Sequence, residues 1–298
     1  MPACRRQGNG QYILILILGD SNHILSLTKE YILILFYVFH SFTSTNLIKN
    51  LTMKKFYITT LFLYLTIFST AFSQQEPSQY LHEGIAAVQA RAYEDAVNYL
   101  TQFLQSQPQN ALGNYNRAVA YYFLQNFTEA QRDATTAITN NPSYKEAYNI
   151  RGLINTSLQI YPDAISDFTS AINLDPNYGD AFMNRGLMHK IQNDYAMAIS
   201  DFNSALTVNP TLLDAYYYRG EVLVSMGNYN DAIRDLSTYI ENIQDKAAAY
   251  SARGLAYYQT KQYSQAVSDL EEAIKLNPSF EKDFSAVLTA ARNKANSK

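Results

Sequence analysis

Four prolines set the first constraint on this chain. Pro108, Pro142, Pro176 and Pro210 stand 34 residues apart, position 244 is Gln, and Pro278 resumes the series. A fixed period of this length marks a chain made by stacking one small unit, and it governs the fold before local propensity does. With proline as place 32, the units are 77–110, 111–144, 145–178, 179–212, 213–246 and 247–280. Other places fall into register. Place 8 is Gly84, Ala118, Gly152, Gly186, Gly220 and Gly254; place 20 is Ala96, Ala130, Ala164, Ala198, Ala232 and Ala266. Place 17 is always aromatic (Tyr93, Phe127, Tyr161, Tyr195, Tyr229, Tyr263), and place 28 is Leu104, Ile138, Ile172, Leu206, Ile240 and Ile274.

The spacing has a physical cause. Small residues at places 8 and 20 let two helices approach closely, side chain resting on backbone. The aromatic at place 17 opens the second helix and covers the turn. Proline at place 32 cannot continue a helix, so it closes each unit. One such pair cannot bury its apolar faces alone, and stacking provides the core. With only 11 Gly and 8 Pro in 298 residues, the composition suits a mostly helical chain.

Places 8, 20, 27 and 32, with aromatics at 4 and 17, resemble the tetratricopeptide-repeat family over residues 77–280. The resemblance implies an all-α fold, a right-handed α-solenoid of six helix-turn-helix repeats, and a protein or peptide ligand. It implies that helix A lines the inner face, chiefly through places 2, 5, 9, 12 and 13. On this chain those places give a candidate groove of Tyr115, Val119, Tyr122, Asn149, Met183, Lys190, Tyr217, Glu221 and Tyr258. Tyr and Met offer large contact areas with a polar or adaptable end, which suits interfaces. A subgroup of the family grips a peptide C-terminus with Lys and Asn at places 5 and 9. Here place 9 is Ile85, Val119, Leu153, Leu187, Glu221 and Leu255, so that clamp is not expected.

Two departures from the family pattern travel together. Place 7 is Arg117, Arg151, Arg185, Arg219 and Arg253, and place 23 is Asp133, Asp167, Asp201, Asp235 and Asp269; repeat one has Glu83 and Tyr99 instead. Their joint loss in one repeat predicts an ion pair within each unit rather than a ladder for anionic ligands, because partly buried charges need partners. Repeat one also carries Phe103 at place 27, where repeats two, three, four and six have Ala. Phe284, Val287, Leu288 and Ala291 share one helical face, so 281–298 reads as a capping helix and tail. Glu146, Asp180 and Asp214 at place 2 read as first-turn acids that complement the helix dipole, with an acidic groove margin as the second reading.

Residues 53–73 follow the plan of a secretory signal peptide: Lys54 and Lys55, an apolar run from Phe56, then Ala71-Phe72-Ser73 before the expected cut. The other reading is an uncleaved anchor at 56–72, near the lower limit of ~17 residues for a bilayer span. A leader placed that far in suggests that translation begins at Met53 and that residues 1–52 are a mis-annotated, unstructured extension. Mass measurement of the natural product tests this, and a peptide covering residues 11–49 would rule it out. The expected location is periplasmic or secreted, with a membrane role only through an uncleaved leader.

The chemistry of an enzyme is not in evidence in the sequence. Beyond residue 73 the chain holds no Cys and two His, His82 and His189, which five helices keep apart. The repeated glycines serve packing, so no phosphate loop is expected, and neither a metal nor a cofactor is implied. Residues 74–298 carry 17 Lys or Arg against 24 acids, a net of 17 − 24 = −7, and no basic stripe, so nucleic acid is not an expected partner. The expectation is an exported, non-enzymatic adaptor. The alternative is a structural subunit of an envelope assembly that associates by its edges or by self-stacking.

Overall fold

The computed structural model describes residues 77–243 and 246–297, together with Thr59; the readings of 1–52 and 53–73 lie outside the described residues. Thirteen α-helices occur among them. The first helices of the pairs are α1 (Pro77–Gln89), α3 (Ala111–Phe123), α5 (Lys145–Ser157), α7 (Gly179–Ile191), α9 (Leu213–Ser225) and α11 (Ala247–Gln259). The second helices are α2 (Tyr93–Ser106), α4 (Phe127–Asn140), α6 (Tyr161–Leu174), α8 (Tyr195–Val208), α10 (Tyr229–Asn242) and α12 (Tyr263–Leu276). A 3₁₀ turn, Pro278–Phe280, leads into α13 (Glu281–Asn296), which buries Leu288 and Ala291 as a cap on the last repeat.

Each helix touches its sequence neighbours, and each first helix also touches the first helix of the next pair; no two second helices touch among the described residues. This neighbour-only contact pattern is that of an α-solenoid. It curves with the first helices inside and the second helices splayed on the outer face.

The repeated small residues sit where the helices come closest. Gly152 packs on the fully buried Phe168, and a β-carbon there would lie 2.5 Å from the ring. In repeat two, where place 8 is Ala118, place 24 is reduced to Ala134, and both are fully buried. Repeat one shows a second exchange of this kind. Phe103 fits at place 27 because place 3 of the next repeat is Gly113, whose added β-carbon would meet the Phe103 ring at 2.7 Å. Three later junctions set small against small instead, with Ala137, Ala171 and Ala205 packed in the same buried clusters as Ala147, Ala181 and Ala215.

Every first helix ends the same way. Place 15 adopts a left-handed backbone in all six repeats: Arg91, Gln125, Gln159, Asn193 and Lys261 at φ 60 to 64°, and Gly227 at 78°. In repeat three the Gln159 N–H donates to Thr156 O (3.0 Å) and the Ile160 N–H to Asn155 O (2.8 Å), closing a Schellman motif. Only one of the six residues is the glycine this conformation favours, since a β-carbon costs about 1–2 kcal/mol there. Gln159→Gly is therefore expected to raise stability by about 0.5–1 kcal/mol after the entropy of the unfolded glycine is subtracted. A denaturant midpoint that does not rise would show that the left-handed residue carries no cost here.

The arginines at place 7 pair with the aspartates at place 23 in every repeat that has both. Arg185 Nε and Nη2 donate to Asp201 at 2.9 and 2.7 Å, and the same fork joins Arg117 to Asp133, Arg151 to Asp167, Arg219 to Asp235 and Arg253 to Asp269. A third contact crosses to the preceding repeat: Nη1 reaches place 25, as in Arg185 to Thr169 Oγ1 (3.1 Å), Arg219 to Asn203 Oδ1 (2.7 Å) and Arg253 to Ser237 Oγ (2.9 Å). Each arginine therefore ties two helices of its own repeat to the second helix of the one before. Repeat one, with Glu83 and Tyr99 at these places, makes no such tie among the described residues.

Candidate partner-binding face

The inner face is built from the first helices, whose exposed sides carry places 2, 5, 9 and 12. All nine candidate residues are half-buried there, neither sealed in the core nor fully exposed. They gather into separate groups rather than one continuous row.

The first group lies on α3. Tyr115, Val119 and Tyr122 pack beside the buried Ile150 and Ile154 of the next repeat. The Tyr115 ring stands 4.8 Å from Tyr144, and Tyr122 meets Phe123 edge-on at 5.4 Å and Phe127 at 6.0 Å. Burial pushes the hydroxyls of Tyr115, Tyr144 and Tyr178 above the ordinary phenol range, and the Glu146 carboxylate near all three pushes in the same direction. Glu146 is thus part of an aromatic cluster and not only a first-turn acid. Lys145 stands 3.7 Å from Glu146, lies over the Tyr178 ring at 5.2 Å, and donates to Asp175.

The second group spans α7 and α9. Lys190 and Glu221 pair with each other at 2.5 Å, so two residues expected to face a ligand separately neutralise one another. Glu221 also accepts from the Tyr217 hydroxyl at 2.9 Å. The Tyr217 ring meets Tyr218 at 5.3 Å and Tyr239 at 5.1 Å, and Lys190 lies over Tyr218 at 5.2 Å. Burial, followed by the Glu221 charge, raises the Tyr217 hydroxyl well above its usual value. At neutral pH the Tyr217 and Tyr218 phenols stay protonated, and Tyr217 directs its proton to Glu221. Met183 packs beside the cluster of Phe202 and Val222. Asn149 accepts from Asn184 Nδ2 at 3.1 Å, a link between repeats three and four.

Tyr258 stands apart from both groups. Lys294 of the capping helix donates to its hydroxyl at 3.0 Å and lies 4.7 Å over its ring, so the end of the chain already occupies this part of the face. Sequence reasoning did not anticipate the lysine of the capping helix there. It also missed Tyr144, Tyr178, Tyr218 and Tyr239. The first two share place 34, the residue just before a first helix, and that recurrence was visible in the alignment of repeats.

Comparison with known proteins agrees with this architecture. Sequence profiles described as tetratricopeptide repeat match residues 81–125, 115–179, 179–212, 214–242 and 247–280. The chain is 36% identical over 67 residues to the human RNA polymerase II-associated protein 3, a match that covers 22% of this chain and 10% of that protein. Among solved structures, PilF of Pseudomonas aeruginosa is similar with a TM-score of 0.65 and 18% identity, over 70% of this chain and 96% of that one. YrrB, described as a TPR protein with an unusual peptide-binding site, is similar with a TM-score of 0.52 and 20% identity, over 60% and 92%. Likeness at these identities is a likeness of fold.

Proposed function

The chain belongs to the tetratricopeptide-repeat family, and on that premise we propose that it is an exported, non-enzymatic scaffold that binds a segment of another protein on its inner face. The observation that carries this reading is the pair of half-buried tyrosine clusters, Tyr115 with Tyr144 and Tyr217 with Tyr218 and Tyr239. Both offer aromatic surface with protonated hydroxyls beside a carboxylate, Glu146 in one and Glu221 in the other. Such a surface suits an extended or amphipathic segment that brings apolar side chains and a few donors. The peptide-binding site for which YrrB is described is consistent with that use of the fold. Export rests on the leader-like text at 53–73.

A second reading, an envelope subunit that assembles by its edges, has its own support. Phe123, Leu158, Ile191 and Met226 are exposed at the turn ending four successive first helices. One experiment separates the two. Tyr115, Tyr122 and Tyr217 are changed together to serine, folding is checked by circular dichroism, and partners cross-linked in the native envelope are compared with those of the parent. The scaffold reading expects recovery of a partner to fall about tenfold or more, as for loss of interface aromatics, with oligomer size unchanged. Loss of oligomer size with recovery retained would favour assembly and sink the scaffold reading.

A further inference from the structure

The outer face carries a site that no groove residue lines. Between α4 and α6, which do not touch, lies a cavity of about 290 Å³ bounded by Gln131, Arg151, Asn155, Asp163, Ser166 and Asp167. Its position has a cause that can be read by comparing repeats. In repeat six, Arg253 is sandwiched between Tyr250 and Tyr257, each ring 5.6 Å away. In repeat two, Tyr121 at the same place as Tyr257 lies 5.9 Å from Arg117. In repeat three that place is Asn155, and the Arg151 guanidinium has a ring on one side only, Tyr148 at 5.7 Å. Repeats four and five fill the place with His189 and the buried Leu223. The cavity therefore opens at the place that a tyrosine ring takes in repeats two and six.

Asn155 cannot swing out to close it. It is 3% exposed, accepts from Gln131 Nε2 at 2.8 Å and donates to Asp167 Oδ2 at 2.9 Å. We infer that the outer face of repeat three is a pocket for a tyrosine side chain presented by a partner protein, which completes in trans the aromatic sandwich that repeat six makes in cis. The ring lies against the open face of the Arg151 guanidinium, an attraction between cation and ring quadrupole that repeats two and six already use. The phenol O–H donates toward the rim, where Asp163 and Ser166 supply acceptors. At about 290 Å³ the cavity falls just below the range of about 300–1,000 Å³ for ligand clefts and is large enough to admit a tyrosine side chain.

The test is a titration of the full chain with N-acetyl-L-tyrosinamide, followed through the NMR signals of Arg151 Nε–H and the Asn155 side-chain amide. Saturable shifts are expected with this probe and not with N-acetyl-L-alaninamide. In Asn155→Tyr, whose own ring fills the site, the affinity is expected to fall at least tenfold; if that variant does not fold, Asn155→His, the residue of repeat four, takes its place. Absence of saturable shifts, or shifts undiminished in the filled variant, would overturn the pocket. Equal binding of N-acetyl-L-phenylalaninamide would overturn the assignment to a phenol.

Discussion

Gly152→Leu is expected to destabilise the protein by about 3 kcal/mol, a loss of roughly 6–12 °C in Tm for an array of this size. The first added carbon alone would stand 2.5 Å from the Phe168 ring, and that ring is fully buried with nowhere to move. The gain of about 1 kcal/mol in helix propensity on leaving glycine does not offset this. Phe168→Ala added to Gly152→Leu should restore much of the loss, because the cost lies in one pair of facing positions. Repeat two already makes a small-with-small choice at those positions, Ala118 with Ala134. Thermal melts of the two single variants and the double variant read out the coupling directly. Simple additivity would show that Gly152 is needed for some reason other than Phe168.

Asp201→Ala is expected to cost about 3–5 kcal/mol. Asp201 is 3% exposed and accepts two hydrogen bonds from Arg185, so its removal strands a guanidinium that is itself largely buried. The loss should also loosen the hold of Arg185 on Thr169 and so weaken the junction of repeats three and four. Replacing both partners by apolar residues, Arg185→Met with Asp201→Leu, should bring stability back near the parent, since a buried pair often contributes little over a well-packed apolar one. Denaturant unfolding followed by circular dichroism distinguishes these outcomes. Unchanged stability in Asp201→Ala would remove the arginines from any structural role.

The contrast between these two predictions and the inner face shows what a single sequence can reveal. The period, the helix pairs and the Arg–Asp pairing were legible because each depends on residues that recur at one place in unit after unit. Features resting on one repeat alone were not. Phe103 against Gly113 is a local exchange that looks like two unrelated irregularities until the structure brings them together. The left-handed residue at place 15 does recur in every repeat, but it has no signature of residue type, because five of its six occupants are not glycine. Lys190 and Glu221 stand at places expected to face a ligand, yet those places also face each other across adjacent first helices, and opposite charges there pair. The pocket beside Arg151 comes from an absence, a ring missing in one repeat, and an absence has no motif.

The contact of first helices with one another, and the lack of any such contact between second helices among the described residues, makes the array of repeats mechanically lopsided. The inner row acts as a hinge line: a small rotation of one repeat against the next barely changes spacing there but opens or shuts the outer clefts by much more. A side chain seated between α4 and α6 would act as a wedge, holding the curvature of the rod at one value. Curvature in turn sets the angle at which the two tyrosine clusters on the inside face one another. The thin outer clefts are thus the places where a slight push has the most leverage over what the inner face can hold.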